Sequence, residues 1–187
     1  MTIDEIFGKI AGHMIEGLMF HSQMAEYYEF LGLNGYSQCH EYHYLEETRA
    51  YHKIAISFID CFNKLLPNVQ AADPGLIPAN WYKYSRMDVD MNTKRNAVKA
   101  GLEKWVAWER ETKALYQKMY QEALNIGEIA AAKRIYHLIE DVTEELKSAE
   151  QYLLNKRAMD YDMVNIIEEQ TKQKEYYDVQ CRSLFLN

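Results

Sequence analysis

Apolar residues recur at intervals of three and four positions over most of the chain, which is the spacing of a helix with one buried face. The pattern predicts four long amphipathic helices, at about 3–31, 37–66, 93–124 and 128–155. Thr2 and Glu5 have the form of a capping box at the start of the first segment. Gly32 and Gly35 follow its end, and 125–127 (Asn-Ile-Gly) forms a tight turn between the third and fourth segments. The chain is therefore predicted to be all-α.

The prolines of the chain are confined to one stretch, at Pro67, Pro74 and Pro78. Proline disrupts a helix interior by ~3 kcal/mol, so residues 67–92 are predicted to form a connection rather than a helix. At up to ~3.3 Å per residue this connection can cross the full length of a bundle. We therefore expect the third helix to run parallel to the second.

Residues 128–187 contain neither glycine nor proline. A single helix of that length would reach ~90 Å, which is too long for a compact domain. We therefore predict a break near 155–157 (Asn-Lys-Arg) and a fifth helix over about 160–184. This divides the chain into a four-helix bundle over 1–155 and a C-terminal helical extension over 156–187.

Composition narrows the class of protein. Apolar residues make up 48% of the 187 residues and charged residues 26%, enough to form a core. No apolar run approaches the ~18 residues of a membrane span, and the first residues lack the pattern of a secretory signal. The three cysteines are odd in number and have no metal-like spacing, so we expect free thiols in a reducing cytoplasm. The net charge of -7 argues against nucleic-acid binding.

Polar side chains interrupt two of the predicted buried faces. On the second helix they are His40, His43 and Glu47, and the fourth helix repeats the spacing with His137, Glu140 and Glu144. A buried carboxylate costs several kcal/mol unless it is paired or coordinated, so these faces predict a metal site. Imidazole with carboxylate suits iron, manganese or zinc. Alternatively, these faces turn partly to solvent or form hydrogen bonds between helices.

The predicted layout has short turns within each helix pair and a long central crossover, as in the ferritin-like bundles. Residues 46–50 (Glu-Glu-Thr-Arg-Ala) resemble the Glu-Glu-x-x-His run of ferritins and bacterioferritins. The resemblance implies a ferritin-like four-helix bundle with an intra-bundle metal site that oxidises or stores iron, or handles oxygen or peroxide. Carried over by position, it implies the ligands Glu47, Glu109 and Glu140. The family's two histidine positions and its first-helix glutamate position are here Ala50, Thr143 and Met14.

Other histidines lie close enough to replace the missing ones. His43 comes one turn before Glu47, and His137 almost one turn before Glu140, while pairing about the first turn places His21 near His40. The complete predicted ligand set is therefore Glu47, Glu109, Glu140, His43, His137, His21 and Glu144. Residues 36–41 also resemble a run of the Dps-type mini-ferritins, which would make His40 an iron ligand.

A second interpretation stays open, in which the chain is a non-catalytic ferritin-like bundle that acts as a structural or protein-interaction module. The sequence alone leaves open whether the protein is an enzyme. We do not expect the apolar side chains near the end of the last predicted helix to face water as a group. These are Tyr176, Tyr177, Leu184 and Phe185. They predict self-association, as a homodimer or a higher homo-oligomer.

Overall fold

The computed structural model describes residues 1–66, 69, 71–72 and 89–186, with side chains up to residue 183. In these residues the chain forms five helices: α1 (Ile3–Phe30), α2 (Asn34–Phe62), α3 (Met91–Asn125), α4 (Ile129–Ala158) and α5 (Met163–Leu186). The four predicted bundle helices and the predicted fifth helix are confirmed. None of the described helices is long and apolar enough to cross a membrane.

Local sequence signals fix several helix ends. At the start of α1, the Thr2 hydroxyl accepts a hydrogen bond from the Glu5 amide (3.2 Å), and the Glu5 carboxylate accepts one from the Thr2 amide (2.7 Å). This is the predicted capping box, and it satisfies amides that a helix start leaves unpaired. Asp90 caps α3 by accepting a hydrogen bond from the Thr93 amide at 2.7 Å. Gly127 turns the chain into α4 with a φ of 78°.

The direction of the helices follows from the residues that meet between them. His21 contacts His40 and Phe7 contacts Phe58, so α1 and α2 are antiparallel. Residues near the end of α1 likewise meet the start of α3, since a Cβ at Gly101 would touch the Tyr28 hydroxyl.

Farther along the same pair, His13 on α1 shares a 2.7 Å hydrogen bond with Thr112 on α3. Because α2 and α3 are both antiparallel to α1, they run in the same direction, as the predicted crossover requires. Most of the predicted crossover over 67–92 lies outside the described residues, at 67–68, 70 and 73–88.

The break after α4 falls slightly later than predicted. Asp160 and Tyr161 adopt left-handed conformations, with φ of 47° and 52°, and they reverse the chain into α5. Lys156 forms an ion pair with Glu169 across this turn. The turn therefore directs α5 back along the bundle.

The fifth helix packs against the first half of α2 and runs parallel to it. Position 35 of α2 faces Gln170 of α5, and seven residues later the rings of Tyr42 and Tyr177 lie 5.5 Å apart. Tyr177 is buried in this contact, while Tyr176 beside it is 58% exposed. The side chains of Leu184 and Phe185, invoked above for self-association, lie outside the described residues.

Two separate clusters of buried apolar side chains fill the bundle. One includes Ile10, Met14, Phe58, Met119 and Val142. The other includes Phe20, Cys39, Trp105, Val106 and Ala149. On each bundle helix the buried members of the two clusters are separated by a stretch that supplies at most partly buried apolar side chains, at 15–19, 40–53, 107–115 and 143–148. These four stretches lie at the same level and form a layer across the middle of the bundle.

We predict that Gly35→Ala loosens α5 from α2. A Cβ at position 35 would lie 2.1 Å from the Gln170 carbonyl oxygen, so the α5 backbone would have to move. Although alanine is the better helix former, we expect the free energy of unfolding to fall by about 1–3 kcal/mol. Hydrogen exchange of the α5 amides should become faster. His52→Ala, at an exposed position of the same helix, should leave both measurements unchanged, and unaltered α5 exchange in Gly35→Ala would contradict this packing.

Candidate metal centre

Three bundle helices each contribute a glutamate to the middle layer: Glu47 from α2, Glu109 from α3 and Glu145 from α4. We call these three residues the carboxylate layer. Glu109 is only 2% exposed, and Glu47 and Glu145 are partly buried. The Trp105 indole, one turn before Glu109 on α3, donates a hydrogen bond of 2.8 Å to Glu109 Oε1. This bond engages one of the two carboxylate oxygens, so the second oxygen of Glu109 is the one that could bind a cation.

The first helix has no side chain at the position that faces Glu47, and this leaves room for the Glu47 carboxylate. A Cβ on Gly17 would lie 3.0 Å from Glu47 Oε1 and 3.4 Å from the Trp108 ring, so the Glu47 carboxylate lies directly against the Gly17 backbone. The α1 position that faces Glu47 is therefore Gly17. Met14, which the family resemblance had aligned with the first-helix glutamate, belongs to an apolar cluster.

The carboxylate layer is electrostatically strained because its members share a poorly hydrated site. Burial raises the pKa of Glu47 to about 8, with further contributions from the charges of Glu109 and Glu46. Burial also raises the pKa of Glu109, against the opposing effect of the Trp105 hydrogen bond. The pKa of Glu145 is raised well above its usual range by burial and then by Glu109 and Glu47.

No cationic side chain in the described part of the chain forms an ion pair with any of these three glutamates. Bringing negative groups together away from water is unfavourable without a positive partner. A bound metal cation would supply that charge. Carboxylates with a nearby imidazole are donors that iron, manganese and zinc accept, so the residues fit such an ion.

The imidazole comes from His43, one turn before Glu47 on α2. Ligand atoms of His43, Glu46 and Glu145 lie within 4.8 Å of one another. The Glu46 carboxylate lies 3.6 Å from His43 Nδ1 and accepts a 2.7 Å hydrogen bond from the Tyr42 hydroxyl. Burial lowers the pKa of His43 to about 4, so its ring is neutral at physiological pH and can act as a ligand.

Two more histidines stack behind His43. His21 Nδ1 and His40 Nδ1 are 2.9 Å apart, which confirms the predicted proximity of the two residues. The His21 ring lies 5.2 Å from that of His43. Burial lowers the pKa of His40 to about 3 and that of His21 well below its usual value. Both neutral rings belong to the same chain as His43. They pack against it on the side of the apolar cluster that includes Phe20 and Trp105.

The structure does not bring the predicted residues of α4 into this layer. His137 and Glu140 are more than half exposed and pair with each other, with 3.0 Å between Nδ1 and Oε2. Glu144 is also exposed and lies 3.5 Å from Lys147. The α4 carboxylate that reaches the layer is Glu145. Its sequence signal is its spacing, three residues after buried Val142 and four before buried Ala149.

A cleft of about 890 Å³ between α2 and α4 connects the layer with solvent. His43, Glu46, Glu47 and Glu145 line it, and His137 and Glu144 belong to its outer lining. The remaining lining is partly apolar and aromatic, and includes Met14, Ile54, Tyr116, Leu138, Val142, Tyr152, Tyr176 and Tyr177. An ion can therefore reach the carboxylates from the side of the bundle, between two helices.

Comparison with solved structures identifies the same bundle in archaeal ferritins. The open-pore ferritin of the hyperthermophilic archaeon Archaeoglobus fulgidus superposes with a TM-score of 0.75 and 16% identity, over 91% of this chain and 94% of that one. An engineered closed form of the Archaeoglobus fulgidus ferritin gives a TM-score of 0.71 at 15% identity, over 93% and 96%. A humanized archaeal ferritin gives 0.72 at 14%, over 91% and 94%.

Comparison by sequence found no match: neither a protein-family model nor a curated protein matches the chain. At these identities the structural likeness concerns the fold. The chain therefore has a ferritin-like all-α fold, as its helix pattern and crossover predicted.

The metal-free protein is predicted to lose stability between pH 6.5 and 8. Folded Glu47 keeps its proton up to a pKa of about 8, whereas an unfolded glutamate releases it near 4.5. The folded state therefore binds the extra proton in this interval, and its stabilisation is lost as the pH rises. From Glu47 alone, the free energy of unfolding should fall by about 2 kcal/mol. The buried histidines oppose this slope near pH 6.5, because unfolded histidine with its ordinary pKa of 6.5 is partly protonated there while the folded rings are neutral, and their effect ends within about one pH unit.

Urea unfolding at a series of pH values, with a chelator present, measures this slope. Glu47→Gln should flatten it, whereas Glu140→Gln, which changes an exposed carboxylate on α4, should retain it. The histidine contribution is common to both proteins, so a wild-type slope from pH 6.5 to 8 equal to that of Glu47→Gln would contradict the burial of Glu47.

Proposed function

We propose that this protein binds ferrous iron at the carboxylate layer and promotes its oxidation by dioxygen or peroxide. The observation that carries the proposal is the convergence of Glu47, Glu109 and Glu145 at one poorly hydrated level of a ferritin-like bundle, without a cationic partner among the described residues. His43 and Glu46 complete the proposed ligand group. Iron is preferred over manganese or zinc because the structural neighbours are ferritins.

Each residue has a distinct part in this proposal. The carboxylates supply hard oxygen ligands and the negative charge that stabilises the more highly charged ferric state. His43 supplies a neutral nitrogen ligand. It comes one turn before Glu47, whereas the histidine of the ferritin run comes after the glutamate. Trp105 orients Glu109, because its indole occupies one of the two carboxylate oxygens. Iron is the substrate, and bound iron supplies the one-electron chemistry.

The ligand group would differ from the one that the family resemblance implies. Ala50 has no ligand atom, and the hydroxyl of Thr143 donates a 2.6 Å hydrogen bond to the Ile139 carbonyl of its own helix. Gly17 leaves the α1 side without a carboxylate. These differences support the rival interpretation, a non-catalytic interaction module. The unpaired carboxylates oppose it, since apolar residues at the same positions would make a purely structural bundle more stable.

Metal addition distinguishes the two interpretations. Under anaerobic conditions, ferrous or manganous ion should raise the Tm of the wild-type protein, because the cation replaces the protons of the folded carboxylate layer and finds no such assembled site in the unfolded chain. At a free ion concentration of 100 times the Kd, the stabilisation would be about 2.7 kcal/mol. Differential scanning calorimetry and elemental analysis measure the shift and the bound metal. If the interaction-module interpretation is correct, wild-type Tm does not respond.

Glutamine variants on α2 and α4 identify the ligands. Glu47→Gln and Glu145→Gln should lose most of the bound iron and of the Tm shift. Glu140→Gln alters an exposed carboxylate of the same helix and should retain both. Loss of metal in Glu140→Gln with retention in Glu145→Gln would instead favour the ligand set predicted from the sequence.

We also propose that the chain self-associates through α5, in a reducing cytoplasm that keeps its three free cysteines reduced. The outer face of α5 exposes a row of apolar side chains, Val164, Ile167, Tyr176 and Val179. Light scattering coupled to size exclusion should give a mass above that of one chain. Replacing Val164 and Ile167 by glutamate should reduce it, and a monomeric wild-type mass would contradict the proposal.

A further inference from the structure

A file of aromatic rings begins at the carboxylate layer. Trp105 is buried, and its Nε1 donates the 2.8 Å hydrogen bond to Glu109 Oε1. The centroid of the Trp105 ring lies 5.1 Å from that of His43. The indole therefore contacts both a carboxylate and the imidazole of the proposed iron site.

The file continues through α4 and α5 to the surface. The ring centroids of Trp105 and Tyr152 are 6.1 Å apart. The phenol groups of Tyr152 and Tyr177 influence each other and line the same cleft. The ring of Tyr177 lies 5.0 Å from that of Tyr176, which is 58% exposed and ends the file.

The chemistry of these four side chains is unusual for a core. Indole and phenol are the protein side chains that most readily give up a single electron apart from thiols, and phenylalanine would fill the same volume without that property. The Glu109 carboxylate beside Trp105 favours loss of an electron, because it stabilises a positive charge on the indole. The phenol groups of Tyr152 and Tyr177 influence each other, and Gln173 and Cys39 flank them.

We propose that Trp105, Tyr152, Tyr177 and Tyr176 form a relay that carries oxidising equivalents from the iron site to the protein surface. This inference rests on the proposed function, and the oxidant is hydrogen peroxide acting at bound iron. Trp105 gives one electron to the site and is reduced by Tyr152. Tyr152 is then reduced by Tyr177, and Tyr177 by Tyr176. Tyr176 ends the sequence by losing one electron and its phenolic proton, which passes to water.

The reaction balances at each chain. One hydrogen peroxide takes one electron from ferrous iron, which becomes ferric, and one from Tyr176 through the relay; with the phenolic proton and one proton from water it becomes two waters, with the cleavage of its O–O bond. The oxidised Tyr176 side chains of two chains then join through a new carbon–carbon bond and form dityrosine. The relay thus gives peroxide a reductant and keeps the oxidising equivalents away from the ligands themselves.

The test uses the full-length protein loaded with ferrous iron and treated with limiting hydrogen peroxide, in the presence of a hydroxyl-radical scavenger. Freeze-quench electron paramagnetic resonance should show a tyrosyl radical, and peptide mass spectrometry should locate dityrosine at Tyr176. Tyr176→Phe should abolish that product. Tyr152→Phe, which alters no proposed ligand, should reduce it severalfold while iron content stays at the wild-type value.

Tyr136→Phe is the matched control, because Tyr136 is 47% exposed on α4 and contacts Tyr120 and His137 rather than the relay. It should leave oxidation of Tyr176 unchanged. Trp105→Phe should abolish that oxidation, with iron content measured in the same sample. If iron binds and Tyr152→Phe oxidises Tyr176 as the wild type does, the relay is overturned and the proposed function stands. Oxidation of Tyr136 equal to that of Tyr176 also overturns the relay, and failure of the wild type to bind iron overturns both proposals.

Discussion

Withdrawing three carboxylates from water at one level of the bundle is the constraint on which the remaining structure depends. Glu47, Glu109 and Glu145 enter this level from three helices; burial raises the pKa of each, and the charge of Glu109 raises those of Glu47 and Glu145 further. Two apolar clusters, one on each side, provide folding free energy that offsets the cost of burying this layer. The bundle is therefore organised as two apolar cores that hold a destabilising carboxylate layer between them.

The layer also determines which residues can surround it. The absence of a side chain at Gly17 leaves room for the Glu47 carboxylate, and Trp105 occupies one oxygen of Glu109. His43 is kept neutral by burial behind the stack of His21 and His40. The ferritin-like fold is therefore combined with a proposed ligand group that differs from the ferritin run at several positions. This is expected where fold and site are under separate physical control.

The fifth helix joins the bundle through this same end of the molecule. It lies parallel to the first half of α2, and its close approach depends on Gly35, where a side chain would meet the α5 backbone. Through Tyr176 and Tyr177 it forms one end of the cleft that leads to the carboxylates. Thus α5 contributes to access to the site and to the aromatic file that leaves it, although it supplies no ligand to the proposed iron site.

The sequence by itself determined the five helices, their main boundaries and the parallel course of α2 and α3, because helical periodicity, capping residues and proline act locally or through chain length. It also indicated His43 and Glu47, which interrupt an apolar stripe, and Glu109 through the resemblance to ferritins. It could not choose among the carboxylates of α4, where Glu140, Glu144 and Glu145 all lie near the buried stripe. Neighbouring positions differ by ~100° around a helix, and the rotation of α4 is set only by its packing against the other helices. The tertiary structure made that choice, and it likewise placed Gly17 against Glu47 and brought α5 beside α2.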